Sequence, residues 1–318
     1  MTLADFPIWF LRTFAVLFGL LWGSFLNVVI WRVPRGESVV SPPSHCPSCG
    51  APVRAWQNIP VLSWVMLRGK TGCCGQPLSA RYPIVEAIGG LLSLGVLETR
   101  ILILSPTTGV GFALAAYVAW LALALGLLAA AFIDLEHLYL PDSITIGGAV
   151  LGVATASLRH LTFVDAALGA VIGFVVVWLP FIVLYEKLRG VPGMGMGDAK
   201  LLALAGAWFG WPGALFALGA GAVQGAIGTA LVLLVRGRVE EPEAVKRERA
   251  EMLAELEAIE DPAEREEALA ELQKDPIFEE AGEGMQARIP FGPFLVLAIL
   301  ELTMFERWIA DLIVGGPW

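Results

Sequence analysis

The chain is a succession of long apolar runs, separated by short polar turns and by two long polar stretches. Crossing the hydrocarbon core of a membrane takes about 20 apolar residues in a helix. Runs near 8–30, 84–104, 112–133, 143–158, 166–186, 198–211, 213–235 and 291–313 fit or approach that length. The runs at 143–158 and 198–211 are short and rich in Gly and Ala. Lipid offers no partner to an unpaired backbone group, so the pattern predicts an all-α polytopic membrane protein with about eight transmembrane helices. The organisation expected is a first transmembrane helix at 1–30, a Cys-containing loop subdomain at 31–83 and a membrane core at 84–235. A polar helical insertion at 236–288 and a last transmembrane helix at 289–318 complete it.

Composition agrees: 57% of residues are hydrophobic and only 16% are charged, which excludes an ordinary soluble domain. The first run begins with acidic Asp5 and is too long for the apolar core of a cleavable signal, so it reads as a true span. The net charge of −9 is local. Residues 236–288 hold 17 acidic and 8 basic residues, leaving 13 of each elsewhere. With eight spans, 17 of the 21 Lys and Arg residues fall on one side, and only Arg12, Arg100, Arg159 and Arg307 on the other. By the positive-inside rule the first side is cytoplasmic, and both termini face away from it.

Within 236–288, apolar residues at Met252, Leu253, Leu256, Ile259, Leu269 and Leu272 suggest one or two amphipathic helices broken at Asp261-Pro262. The plain reading is a solvated hairpin, and the alternative is a docking surface for a partner. All four cysteines lie in the 31–83 loop: Cys46 and Cys49 in a Cys-x-x-Cys-Gly knuckle, then adjacent Cys73 and Cys74. A reducing cytoplasm disfavours disulfides there. Two thiolates from one tight turn suit tetrahedral zinc, and a second pair would complete a structural site. Adjacent cysteines strain such a site, so the fourth ligand is open, with His45 a possible substitute.

Two acids stand at the edges of apolar runs, where an ionisable residue is expensive and marks a functional site by default. Asp134 opens Asp134-Leu-Glu-His-Leu-Tyr-Leu-Pro-Asp142. A carboxylate at a helix C-terminus opposes the helix dipole, so Asp134 is a poor cap. Asp142, after Pro141, reads as an N-cap. Asp198 follows Gly193, Gly195 and Gly197, whose conformational freedom lets a loop bring the carboxylate to a partner helix, and Lys200 is near enough to pair with an acid. Two carboxylates about 3 Å apart share one proton. The ionised acid activates a water for attack on a peptide carbonyl, and the protonated one stabilises the oxyanion. The pair titrates as a unit, so the two roles are not assigned to individual residues. The chain has no Gly-x-Ser-x-Gly, no His-Glu-x-x-His and no phosphate loop. His137 reads as interfacial, and Ser24 has no base in view.

These motifs together resemble bacterial type IV prepilin peptidases, bifunctional membrane enzymes of the GxGD aspartyl protease class. Gly23-Ser-Phe-Leu-Asn-Val-Val-Ile-Trp-Arg-Val-Pro34, with Asn27, is similar to the family's opening motif. Cys46-Pro-Ser-Cys49, Arg68-Gly-Lys70 and Ser79-Ala-Arg-Tyr-Pro-Ile-Val-Glu86 resemble its cytoplasmic loop. The Asp134 and Gly195-Met-Gly-Asp-Ala-Lys200 stretches match its two catalytic segments, and Pro290-Phe-Gly-Pro-Phe294 resembles the start of its last span. The resemblance implies cleavage of basic leader peptides from prepilins and pseudopilins at the cytoplasmic face of the bacterial inner membrane. It also implies N-methylation of the new terminus with S-adenosylmethionine. By motif, Asp134 and Asp198 carry hydrolysis, Glu136, Gly195, Gly197 and Lys200 flank them, and methyl transfer falls near Gly69 and Lys70. Two departures stand out: Thr71 replaces the family's third cysteine, with Cys73 two residues later, and the acidic insertion is larger than usual.

The expected partners are prepilins, pseudopilins and membrane lipid, with no nucleic acid. The expected groups are S-adenosylmethionine and a structural Zn2+. The competing readings are a peptidase without methyl transfer and, more remotely, an ion- or proton-coupled transporter.

Overall fold

In the computed structural model, the described residues are 1–236 apart from Pro47 and His160, 290–314, and scattered positions between 246 and 269. The expected amphipathic insertion therefore lies almost wholly outside the described residues, as do 315–318. The described residues form helices, with isolated bridges but no β-strand. They comprise α1 (Ile8–Arg32), α2 (Leu62–Met66), α3 (Arg81–Val96), α4 (Val110–His137) and α5 (Asp142–Ala154). They continue with α6 (Phe163–Val177), α7 (Tyr185–Arg189), α8 (Met196–Arg236) and α9 (Gly292–Val314).

Each expected apolar run carries helix, which makes this an all-α polytopic membrane protein. Among the described residues four stretches are long and apolar enough to cross a membrane: Ile8–Arg35, Val110–His137, Phe163–Arg189 and Met196–Val235. Asp142–Ala154 is apolar but shorter. The runs at 198–211 and 213–235 are two arms of α8, bent where Gly210 adopts φ 69° just before Pro212. Eight separate crossings therefore do not follow from length and composition.

The bundle has two packed groups. α1 lies on α3, and α5, α6 and α9 surround α8, with α4 between the groups against α1, α3 and α9. Apolar side chains cannot drive helices together in lipid, where tails are equally apolar, so close backbone approach does the work. A side chain at Gly169 of α6 would overlap the Gly206 carbonyl of α8, and one at Gly23 of α1 would run into the Glu86 backbone of α3.

α4 and the first arm of α8 form the buried centre: Leu127, Ile133, Leu201, Leu202 and Trp208 are essentially inaccessible. The two segments stack through Trp120 and Trp208, with ring centroids 5.1 Å apart, at one end of the bundle. From there α4 runs to Asp134 and α8 returns from Asp198, so both acids fall at the opposite end.

The stacked end holds two of the four arginines that the charge count places on the non-cytoplasmic side. Arg159 lies over the Trp208 ring, 4.2 Å from its centroid, and donates to the carbonyls of Trp208 (2.8 Å) and Gly152. Arg100 lies over Trp120 and donates to the carbonyls of Thr303 (2.7 Å) and Leu302 (2.5 Å), with Glu306 at 2.5 Å. Breaks at Gly210 in α8 and Phe305 in α9 free the carbonyls of Trp208, Leu302 and Thr303, the C-terminus of α5 frees that of Gly152, and the guanidinium forks satisfy them.

Candidate active site and thiol cluster

Asp134 sits in the last turn of α4, which Leu138 ends in a left-handed cap, its N–H on the Asp134 carbonyl at 2.9 Å. Asp198 sits in the first turn of α8, its N–H on the Gly195 carbonyl at 3.2 Å. Both carboxylates are buried, at 6% and 9% exposure, and Leu140 links them: it lies against Gly197, which precedes Asp198, and against Gly292, which abuts the Asp134 carboxylate. The two acids predicted to converge are therefore neighbours. Backbone lies close against each: Gly292 against the Asp134 carboxylate and Gly195 against that of Asp198. Gly292 opens α9, so a helix N-terminus points at Asp134. A side chain at Gly292 would collide with the Asp134 carboxylate, and one at Gly197 would press on Leu140.

The flanking residues have defined partners. Lys200 Nζ lies 2.6 Å from Asp142 Oδ1. Asp142 is the first residue of α5, Pro141 being the N-cap, and its carboxylate makes no cap hydrogen bond, so the N-cap expectation is corrected to an ion pair. Arg81, at the start of α3, donates from one nitrogen to both oxygens of Glu136, at 2.5 and 2.7 Å. Gly292 and Arg81 were missed as site residues because their partners are remote in sequence. The Pro-x-Gly-Pro frame around Gly292 was the available signal.

The 31–83 loop folds as two like knuckles. In the first, Cys46 N–H donates to Ala51 O and Gly50 N–H to Cys46 O; in the second, Thr71 N–H donates to Gln76 O and Gly75 N–H to Thr71 O. Gly50 and Gly75 share φ 71°. Thr71 thus occupies the place of Cys46, and Cys74 that of Cys49. Cys73, one residue earlier, supplies the sulfur that Thr71 lacks. All four sulfurs lie within 4.8 Å of one another, with Cys46–Cys74 at 3.8 Å and Cys49–Cys73 at 3.4 Å. Tetrahedral zinc with Zn–S of about 2.3 Å separates its sulfurs by about 3.8 Å. The adjacent cysteines therefore fit one ion, and His45, whose ring nitrogen faces the Pro43 carbonyl at 3.2 Å, is not in the cluster. The N–H groups of Ser48 and Cys49 bring the Cys46 thiol down to about 6. Hydrogen bonding with Cys49 and Cys46 pushes Cys73 up to about 12.

Between the knuckles and the ends of α1 and α3 lies a cavity of about 330 Å³. Trp31, Trp64 and Tyr82 give it aromatic walls, and Lys70 reaches it. Gly69 makes the preceding turn at φ 69°, packed under Trp64.

A helical bundle with two buried acids at one end and a loop carrying four thiols defines a multi-pass membrane protein. Its N-terminal part matches the Bacterial Peptidase A24 N-terminal domain at residues 17–99, and residues 121–230 match the Type IV leader peptidase family. The prepilin leader peptidase/N-methyltransferase of Myxococcus xanthus is 36% identical over 98% of this chain and 96% of its own length. That of Burkholderia pseudomallei is 37% identical over 72% and 79%, and that of Aeromonas hydrophila 37% over 71% and 83%. The chain belongs to the type IV leader peptidase family. No solved structure matches it.

Proposed function

We propose that this protein removes leader peptides from prepilins and pseudopilins with Asp134 and Asp198, and then methylates the freed amino terminus with S-adenosylmethionine. The convergence of two buried carboxylates from antiparallel helices carries the reading. The ionised acid takes a proton from water, and the resulting nucleophile attacks the scissile carbonyl. The protonated acid donates to the carbonyl oxygen, and a proton then passes to the leaving amine as the C–N bond breaks. The site faces the cytoplasm in the bacterial inner membrane, which the Lys and Arg distribution supports.

The four thiols suit a structural Zn2+, since an all-thiolate set leaves no open position for chemistry. The aromatic cavity has the size of a small-molecule site, and Trp31, Trp64 and Lys70 would hold the methyl donor there. The donor supplies an electrophilic methyl group on a sulfonium. The cavity favours methyl transfer over a peptidase-only enzyme, and incorporation of labelled methyl into cleaved peptide separates the two.

The decisive assay compares cleavage of a prepilin-like peptide in proteoliposomes by wild type, Asp134→Asn and Asp198→Asn. Each single change is expected to lower the rate by at least about 1,000-fold with thermal stability kept. Near-normal cleavage by either variant removes that residue from the chemistry.

A further inference from the structure

The cavity beside the knuckles has a polar floor that packing alone does not explain. Asn27 is 4% exposed; its Nδ2 donates to the Tyr82 carbonyl at 3.2 Å, while its Oδ1 has no partner. Glu86, 8% exposed, also lines the cavity. One of its oxygens accepts the Val61 N–H at 2.7 Å, and Ser24 lines the same cavity. An orphaned carbonyl oxygen beside a buried carboxylate is a pair of acceptors, and a buried acceptor without a donor is costly. Such a floor wants a donor with positive charge, which an amine provides.

Its position narrows the choice of amine. Glu86 lies on α3 little more than one turn beyond Arg81, which bridges to Glu136, two residues from Asp134. Tyr82, next to Arg81, also lines the cavity, so the cavity lies at the end of the bundle that holds the acid pair, where cleavage frees an amine. We infer that Glu86 and Asn27 Oδ1 receive the new α-amino group and that Glu86 takes its proton for methyl transfer. This rests on the proposed function and deepens it.

The step balances. The ammonium gives a proton to the Glu86 carboxylate, and the freed nitrogen lone pair attacks the methyl carbon. The N–C bond forms as the C–S bond breaks, and the electron pair returns to sulfur, leaving a neutral thioether. The proton on Glu86 passes to water. A free α-amino group has a pKa of about 7.7–8.0, so most of it is protonated near neutral pH and a base is useful there.

The test uses the full-length protein in detergent with S-adenosylmethionine, a leader-free peptide carrying the free amine, and an uncleaved peptide. Glu86→Gln keeps an oxygen for the Val61 N–H but cannot take a proton. Cleavage and the calorimetric affinity for the donor should stay within about twofold, while methylation falls about 100-fold. The residual methylation should climb with pH until the amine is deprotonated, near about pH 8. Asn27→Ala, which leaves the Glu86–Val61 bond in place, should raise KM for the free-amine peptide about tenfold at unchanged donor affinity. Methylation by Glu86→Gln within about threefold of wild type overturns the inference. So does donor affinity lost in step with methylation, which would give the floor to the donor's own cation. If Glu86→Gln also loses cleavage, the Asn27→Ala measurement decides, and an unchanged KM overturns the inference. A wild-type protein that cleaves but never methylates refutes the second activity itself.

Discussion

The most informative single residue is Thr71. It breaks the family's cysteine spacing, and from spacing alone the metal site looked incomplete. The knuckle hydrogen bonds give the physical answer. Thr71 stands where the first knuckle has Cys46, its hydroxyl 3.2 Å from the Cys74 sulfur, and Cys73 provides the missing thiol from the neighbouring position. The ligand has moved by two residues without leaving the cluster. Cys73→Ser should therefore weaken zinc binding by at least about 100-fold, measured by competition with a chromophoric chelator. Adding Thr71→Cys to that variant should recover affinity to within about tenfold of wild type, because the new sulfur lands beside Cys74. No recovery would mean that the knuckles are not equivalent. Sequence spacing shows which ligands are available; it does not show which turn position each sulfur occupies.

At the scale of elements, most of the helical framework was legible, because apolar length and backbone satisfaction leave little choice in lipid. The breaks were harder to read. Pro212 signals a bend in α8, but nothing local to it announces that Arg159, about 50 residues earlier, satisfies the carbonyls freed there. Arg100 and Arg159 entered the charge count only as two of the four cations on the non-cytoplasmic side, because a count by side says nothing of what each arginine touches. In the fold both are stacked on indole rings, with their donors on carbonyls. Arg159→Ala should cost about 2–4 kcal/mol, since it leaves buried acceptors unpaired. Thermal unfolding in detergent measures this. The control is Arg12→Ala, which breaks an exposed 2.6 Å pair with Glu98 and should leave thermal stability nearly unchanged. Equal shifts for the two variants would contradict the carbonyl-capping account of Arg159.

Across the whole molecule, the acid pair was legible and its supports were not. Asp134 and Asp198 announce themselves as ionisable residues at the edges of apolar runs. Gly292 and Arg81 act through contacts that only the assembled bundle creates. Arg81 matters most at this scale, because its pair with Glu136 ties the α1–α3 group and its loop to the end of α4 that holds Asp134. The pair is partly screened, with side-chain exposures of 15% and 36%, so its energetic contribution is modest. Its effect should instead be positional, since a small displacement of a reacting carboxylate costs rate steeply. Arg81→Ala should lower kcat for leader cleavage about 10-fold, with KM nearly unchanged, and slow methylation of the cleaved product as well. That pattern differs from Asp134→Asn, which should stop cleavage while still methylating a supplied free-amine peptide, and from Glu86→Gln, which should do the reverse. Comparing the three variants on cleavage and on methylation of pre-cleaved peptide tests the bridge directly. If Arg81→Ala alters neither rate, the two groups of helices work independently, and the ion pair is only a surface contact.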